Sequence, residues 1–282
     1  MLSWIDAVTA LRNERRAAVL ITVTEVRGHA PREAGAKMVI ADDETFGTVG
    51  GGNLEMAAVA RAREMIATGS CTPEIMELRL NDKAPAKYGR QCCGGEVKLL
   101  LEPLPVPKTV AIFGVGHVGM ELARILSRHP IDLYLTDSRP EAIAEAAQLL
   151  PSVARIQTQV AVMGEQVLST LPEGSHVLIM THDHAEDFHL CDAAVTHPSL
   201  GSIGLIGSTA KWSRFRKNLG ESGHTEQQIS KIQCPIGIPE ITGKEPAVIA
   251  VSVAAQLMGL LSKPAVRLAG QPETPQPRAL AK

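Results

Sequence analysis

The pattern of apolar and polar positions changes character about a third of the way along the chain. Residues 3–6, Ser-Trp-Ile-Asp, form a capping-box sequence that opens a short amphipathic helix to about residue 14. Residues 18–25 are apolar and β-branched, which predicts a strand. Further strands are predicted at 37–41, 46–49, 75–80 and 96–102. One longer helix is predicted over 54–67, capped by Asn53 and stopped at Gly69. Residues 103–107, Pro-Leu-Pro-Val-Pro, read as a stiff linker. Beyond it strands and helices alternate. Strands are predicted at 109–113, 132–136, 154–156, 177–180 and 202–206. Helices fit between them at 118–128, 140–149, 160–168 and 185–195, and later ones at 210–219, 225–231 and 247–261. This rhythm implies an α/β chain: a small N-terminal α+β domain (1–103), a linker (104–107), then a Rossmann-like doubly wound parallel sheet (108–262) and a proline-rich tail (263–282).

Composition removes several function classes. Lys plus Arg is 28 and Asp plus Glu is 30 in 282 residues, so the net charge of −2 excludes nucleic-acid binding by bulk charge. The chain holds eight aromatic residues, a poor supply for stacking bases. Its late apolar stretch, 247–261, is too short for a membrane span and is broken by Ser252 and Gln256. Residues 1–10 lack the basic start and apolar run of a signal peptide. The five cysteines show no disulfide spacing, so a cytoplasmic protein with reduced thiols is expected.

Glycine changes the picture most. Twelve of the 24 glycines fall in four short runs, where backbone is expected to approach a ligand or another chain segment closely. Gly114-Val115-Gly116-His117-Val118-Gly119 is a GxGxxG at a strand end and helix start, and Asp137 follows 23 residues after Gly114, where a ribose hydroxyl would be read. A nucleotide in this crevice, or a sheet kept for its shape, both fit. Gly207-Ser208-Thr209 closes another strand, with Lys211, Arg214, Arg216 and Lys217 downstream, which fits an anion pocket or a simple helix cap with a basic face. His182-Asp183 follows a strand as well; polar substrate contact, metal or acid–base chemistry and helix capping all remain open there.

In the first region, Arg32 and Lys37 supply cations beside the run Gly50-Gly51-Gly52-Asn53-Leu54-Glu55, whose successive N–H groups suggest an anion cradle. It is not a Walker loop, because no Gly-Lys-Ser/Thr follows. Cys92-Cys93-Gly94-Gly95 places a thiol near Lys87 and Arg90, a setting for a soft ligand or a sulfur carrier, or a tight turn of small residues.

Taken together, these blocks resemble the XdhC/CoxI family. The matching features are Gly28-x-x-Pro31-Arg32-x-x-Gly35-Ala36-Lys37-Met38, Gly47 to Glu55, Cys93-Gly94-Gly95, the Gly114–Gly119 motif, Asp137-x-Arg139, Thr181-His182-Asp183, Gly204 to Ser208 and Pro235-Ile236-Gly237. The resemblance implies a cytoplasmic maturation factor rather than an enzyme. It would bind the molybdenum cofactor, a pterin with a dithiolene and a phosphate, while a cysteine desulfurase adds a sulfido ligand. It would then pass the cofactor to the molybdenum subunit of apo xanthine dehydrogenase. A homodimer is an open expectation. The implied cofactor-binding residues are Arg32, Lys37, Gly50, Gly51, Gly52, Asn53, Glu55, Cys93, Gly94, Gly114, Gly116, Gly119, Asp137, His182, Asp183, Gly207 and Ser208. The expected site is one cleft between the glycine-rich loops of the first domain and the C-terminal edge of the parallel sheet. The alternatives are an NAD(P)-dependent oxidoreductase and a nucleotidyltransferase acting on molybdopterin. No catalytic triad or metal set stands out in the sequence.

Overall fold

The computed structural model describes residues 2–80, 94–149 and 153–262. The first unit is an antiparallel sheet between two helices. Its elements are α1 (Trp4–Asn13), β1 (Ala18–Arg27), β2 (Lys37–Ile40), β3 (Thr45–Gly47), α2 (Gly52–Thr68), β4 (Glu74–Arg79) and β5 (Glu96–Leu104), with strand order β3-β2-β1-β5-β4. Side chains alternate across a strand, so each strand serves both helices. Val19, Ile21 and Val23 join Met38 and Ile40 beneath Leu54, Ala58, Ala62 and Met65 of α2. Ala18 and Val39 face the other way, onto Ala7 and Leu11 of α1.

The second unit is a parallel sheet covered on both faces. Its strands are β6 (Thr109–Phe113), β7 (Asp132–Asp137), β8 (Arg155–Val160), β9 (His176–Ile179), β10 (Ser202–Leu205) and β11 (Ile232–Gln233), ordered β11-β10-β9-β6-β7-β8. Counted within the unit this is the 3-2-1-4-5-6 order of a Rossmann sheet, with its switch point between β6 and β9. Val110 and Ile112 pack towards α3 (His117–Leu126), α4 (Pro140–Ala146) and α9 (Pro246–Leu261). Ala111 and Phe113 pack towards α5 (Gly164–Ser169), α6 (His184–Thr196), α7 (Thr209–Glu221) and α8 (Glu226–Ile229).

Three sequence expectations shift. Residue 160 ends β8 instead of opening a helix, and α5 begins only at Gly164. The N-cap of α2 is Gly51, which leaves Asn53 inside the first turn. Pro103 and Leu104 belong to β5, not to the linker: they pair with Val19 and Ala18 of β1 beyond the point where the β4 ladder ends at Leu101, an edge position where the missing N–H of Pro103 is tolerated. The two-residue strand β11 is too short to show a period and escapes the sequence reading.

The two units meet at the N-terminal edge of the parallel sheet. Arg12 Nη2 donates to Asp132 Oδ1 at 2.9 Å, and Arg15 donates to the other carboxylate oxygen and, at 3.0 Å, to the Pro107 carbonyl. Arg155 reaches Asn13 Oδ1 at 3.1 Å. Beside these contacts lies a groove of about 620 Å³, whose walls include Met65, Ile66, Leu104, Val106 and Leu261.

Candidate functional site

The site grows from the turn between β6 and α3. Gly114 sits at φ +100°, and a Cβ there would collide with the Met180 carbonyl of the neighbouring loop. A Cβ on Gly119 would collide with the Gly114 carbonyl. Both glycines are thus demanded by packing between strand, helix and loop. Gly116 is not. Its φ is −75°, and the nearest atom to a Cβ placed there is Arg139 Nη2 at 3.8 Å. Gly116 is the N-cap of α3 and supplies no side-chain cap, so the first-turn N–H groups open towards a cleft of about 570 Å³. The cleft lies between α3, Arg139 and Glu141 at the start of α4, and Glu245 to Ala247 at the start of α9.

Asp137 does not present a ribose acceptor to that cleft. It is buried, and both carboxylate oxygens are engaged. Oδ2 accepts from Val115 N–H at 2.7 Å and Arg139 Nη2 at 2.8 Å; Oδ1 accepts from Arg139 N–H at 3.0 Å and Nε at 2.9 Å. Burial alone would raise this carboxyl, but the Arg139 side chain and two backbone donors outweigh it and hold it below the usual carboxylate range. Of this pair it is therefore Arg139, half-buried, that borders the cleft.

The loops after β9 and β10 are stapled together. Asp187, buried in the first turn of α6, accepts from Thr181 N–H at 2.9 Å, from Thr181 Oγ1 at 2.8 Å and from the Lys211 ammonium. Lys211 also donates to the Ile206 carbonyl at 3.0 Å. A Cβ at Gly207 would meet the Lys211 stem at 2.8 Å, so this glycine makes room for the lysine rather than for a ligand. Of the expected cations Lys211 points inward, while Arg214, on the Phe215 ring, Arg216, paired with Glu226, and Lys217, paired with Glu221, stay exposed on the capped helix. Ser208 caps α7, and Asp183 caps α6 through the Ala185 and Glu186 N–H groups, so Asp183 does not orient an imidazole. His182 is exposed, with Nδ1 3.9 Å from Glu186. Glu186 accepts from Ser138 Oγ at 3.3 Å, and burial pushes its carboxyl up.

At the far end of the first sheet three glycine loops pack on one another. A Cβ on Gly95 would strike the His29 carbonyl, and one on Gly50 would strike the Pro31 ring. The cradle of residues 49–51 is already filled by the chain's own anion. Glu55 Oε2 accepts from Val49 N–H at 3.2 Å, from Gly51 N–H at 3.1 Å and from the Thr48 hydroxyl, while Gly50 N–H donates to Thr48 Oγ1 at 3.1 Å. Gly52 and Asn53 lie in the first turn of α2. Arg32 is exposed on the same loops. Lys37 is not with it: the side chain is on the α1 face, donating to Thr22 Oγ1 at 2.8 Å with Nζ 5.3 Å from the Trp4 ring centroid. Gly94 N–H donates to Leu80 O at 2.7 Å; Cys93 lies outside the described residues. Among the described residues, no single cleft of the kind expected joins the loops of the two units. The described residues that line the Gly116 cleft belong to the second unit, and the first-unit loops sit at the end of β1 and α2 away from the linker.

The family comparison agrees with this architecture. The family description "XdhC Rossmann domain" matches residues 110–257, and "XdhC and CoxI family" matches residues 11–77. The chain belongs to the XdhC and CoxI family. Among curated proteins, this family member is 24% identical over 250 residues to the uncharacterized protein YqeB of Escherichia coli, a match covering 86% of this chain and 44% of YqeB. It is 38% identical over 99 residues to the E. coli molybdenum cofactor insertion chaperone PaoD, covering 35% of this chain and 30% of PaoD. The matches thus span less than half the length of either curated relative. The crystal structure of a xanthine dehydrogenase from Bacillus halodurans is 20% identical, with coverage of 92% of this chain and 96% of that one and a TM-score of 0.46.

Among the described residues of this XdhC and CoxI family chain, no group of three His, Cys, Asp or Glu could hold a metal ion, and no helix is long and apolar enough to cross a membrane. Sequence reasoning missed the roles of Asp187, Lys211 and Glu186. One signal was available for Lys211. It lies four residues before buried Phe215, on the helix face turned to the core.

Proposed function

We propose that this chain is a molybdenum-cofactor chaperone: it holds the cofactor while a desulfurase adds the sulfido ligand, then delivers it to a xanthine dehydrogenase-type apoenzyme. The observation that carries this reading is the 38% identity to a protein named as a molybdenum cofactor insertion chaperone, within a shared family. The site chemistry supports carriage. Asp137 and Asp187 are locked by Arg139 and Lys211, and the cleft, whose wall also carries Glu121, Glu141, Glu145 and Glu245, presents Arg139 to an oxyanion-bearing cargo. In this reading the second unit takes the cargo at Gly114 to Gly119 and Arg139, while Arg32 and Gly94 form a second contact region. The linker after β5, residues 105–107, serves as the hinge between a cofactor-loading and a cofactor-releasing arrangement. The engagement of Asp137 weighs against a dehydrogenase that reads a ribose diol with that carboxylate.

The test is purification from cells that make the cofactor, followed by metal analysis and pterin fluorescence. Near-stoichiometric molybdenum and pterin are expected, reduced in Arg32→Ala. Wild-type protein retaining neither above an unrelated control overturns the reading.

A further inference from the structure

We propose that β8 is a homodimer interface, pairing antiparallel with β8 of a second copy about a two-fold axis at Thr158. The backbone meets the first condition. Arg155 N–H donates to the Ile131 carbonyl at 3.0 Å and Ala161 N–H to the Asp137 carbonyl at 3.0 Å, both on the β7 side. Strand alternation then turns the N–H and C=O groups of Ile156, Thr158 and Val160 away from β7. Among the described residues no strand lies beyond β8 on that side.

The second condition is an edge left unguarded. Sheets blunt their exposed edges with very short strands or with charged side chains. The other edges here follow that rule: β3 has three residues, β11 has two, and β4 carries Glu74, Glu77 and Arg79. β8 has six residues, and the stretch 156–163, Ile-Gln-Thr-Gln-Val-Ala-Val-Met, contains no charge, proline or glycine. Val160, Val162 and Met163 are exposed.

The third condition is symmetry. Ile156-Gln157-Thr158-Gln159-Val160 reads nearly the same in both directions about Thr158. An antiparallel copy in that register sets Thr158 against the partner's Thr158 and Ile156 against the partner's Val160. Their backbone groups face outward, so each such pair exchanges two hydrogen bonds. Gln157 falls opposite the partner's Gln159, on the face where both are exposed. Each cross-strand pair therefore matches like with like, β-branched with β-branched and amide with amide. Arg155, the one charge in the strand, faces the partner's Ala161 and meets no second cation. A foreign extended peptide could use the same backbone groups, but it would give this symmetry no purpose. The contact is isologous and closes as a dimer. The two parallel sheets then continue as one, with their C-terminal edges pointing in opposite directions. The partner's first unit, which sits at the N-terminal edge of its own sheet, thus lies on the side towards which this copy's C-terminal edge points. The interface is independent of any cargo.

Sedimentation equilibrium of the full chain is the test, and twice the mass of a single chain is expected. Gln157→Lys with Gln159→Lys sets lysine against lysine on both sides of the axis and should weaken the dimer about tenfold or more. Gln157→Glu with Gln159→Lys sets glutamate against lysine in the same places and should hold the dimer near wild-type strength. Both positions are exposed, so both variants should melt close to the wild type. A wild-type chain that sediments as a monomer overturns the interface. So does a dimer that survives the double-lysine change, or one that both double variants weaken alike, because a contact elsewhere on the surface would not distinguish the two charge patterns.

Discussion

Glu55 has a role that the glycine run conceals. Its carboxylate gathers the Val49 and Gly51 N–H groups and the Thr48 hydroxyl, donors that would otherwise face one another. Glu55→Ala leaves them without that acceptor and should cost about 1–3 kcal/mol, read by urea unfolding of the full chain. Glu186 is expected to act in the opposite sense. Burial raises its carboxyl, so the folded state favours the protonated form, and this contribution is lost as pH rises through the raised value. Glu186→Gln should therefore gain stability over wild type as pH climbs from acid to neutral. Melting curves of both proteins across that range check this, and a parallel shift would refute it. Neither role was legible in the sequence. A run of glycines before a helix looks the same whether the anion it holds is a ligand or a side chain four residues on. Lys37 was more legible: Met38 and Ile40 bury against α2, and strand parity then sends Lys37 to the opposite face.

At the scale of elements, the β6 turn and α3 form one packed joint. Gly119 allows the helix to lie against the Gly114 carbonyl. Gly119→Ala should cost about 1–3 kcal/mol through overpacking, measured by thermal or chemical unfolding. Strand–helix alternation in the second unit was legible because its strands are continuous apolar runs bounded by turns. Ends were less so. Residue 160 lies in a β-branched, polar stretch that either element could claim, and pairing with β7 decided it. The locations of Asp137 and Gly116 in the second unit followed from the motif, but their partners did not. A carboxylate two residues before an arginine does not reveal which of them will face the cleft.

Across the whole molecule, what joins the units is concentrated on Asp132. Two arginines of the first unit converge on this buried carboxylate at the start of β7. Asp132→Asn should loosen the units without unfolding either, seen as a larger radius of gyration in solution scattering and faster proteolysis near residues 104–107. An unchanged radius and cleavage rate would argue against a latch. Which edge of the parallel sheet meets the first unit could not be read from the sequence, because nothing local marks Arg12 and Arg15 as partners of a residue more than a hundred positions away. The same organisation gives α9 a mechanical meaning. Pro246 and Ala247 border the Gly116 cleft, while Leu261 borders the groove between the units. A 16-residue helix is a rod of about 24 Å. One straight element thus spans from the cleft to the seam between the two halves, so on the chaperone reading a load at its upper end would bear on the angle between them.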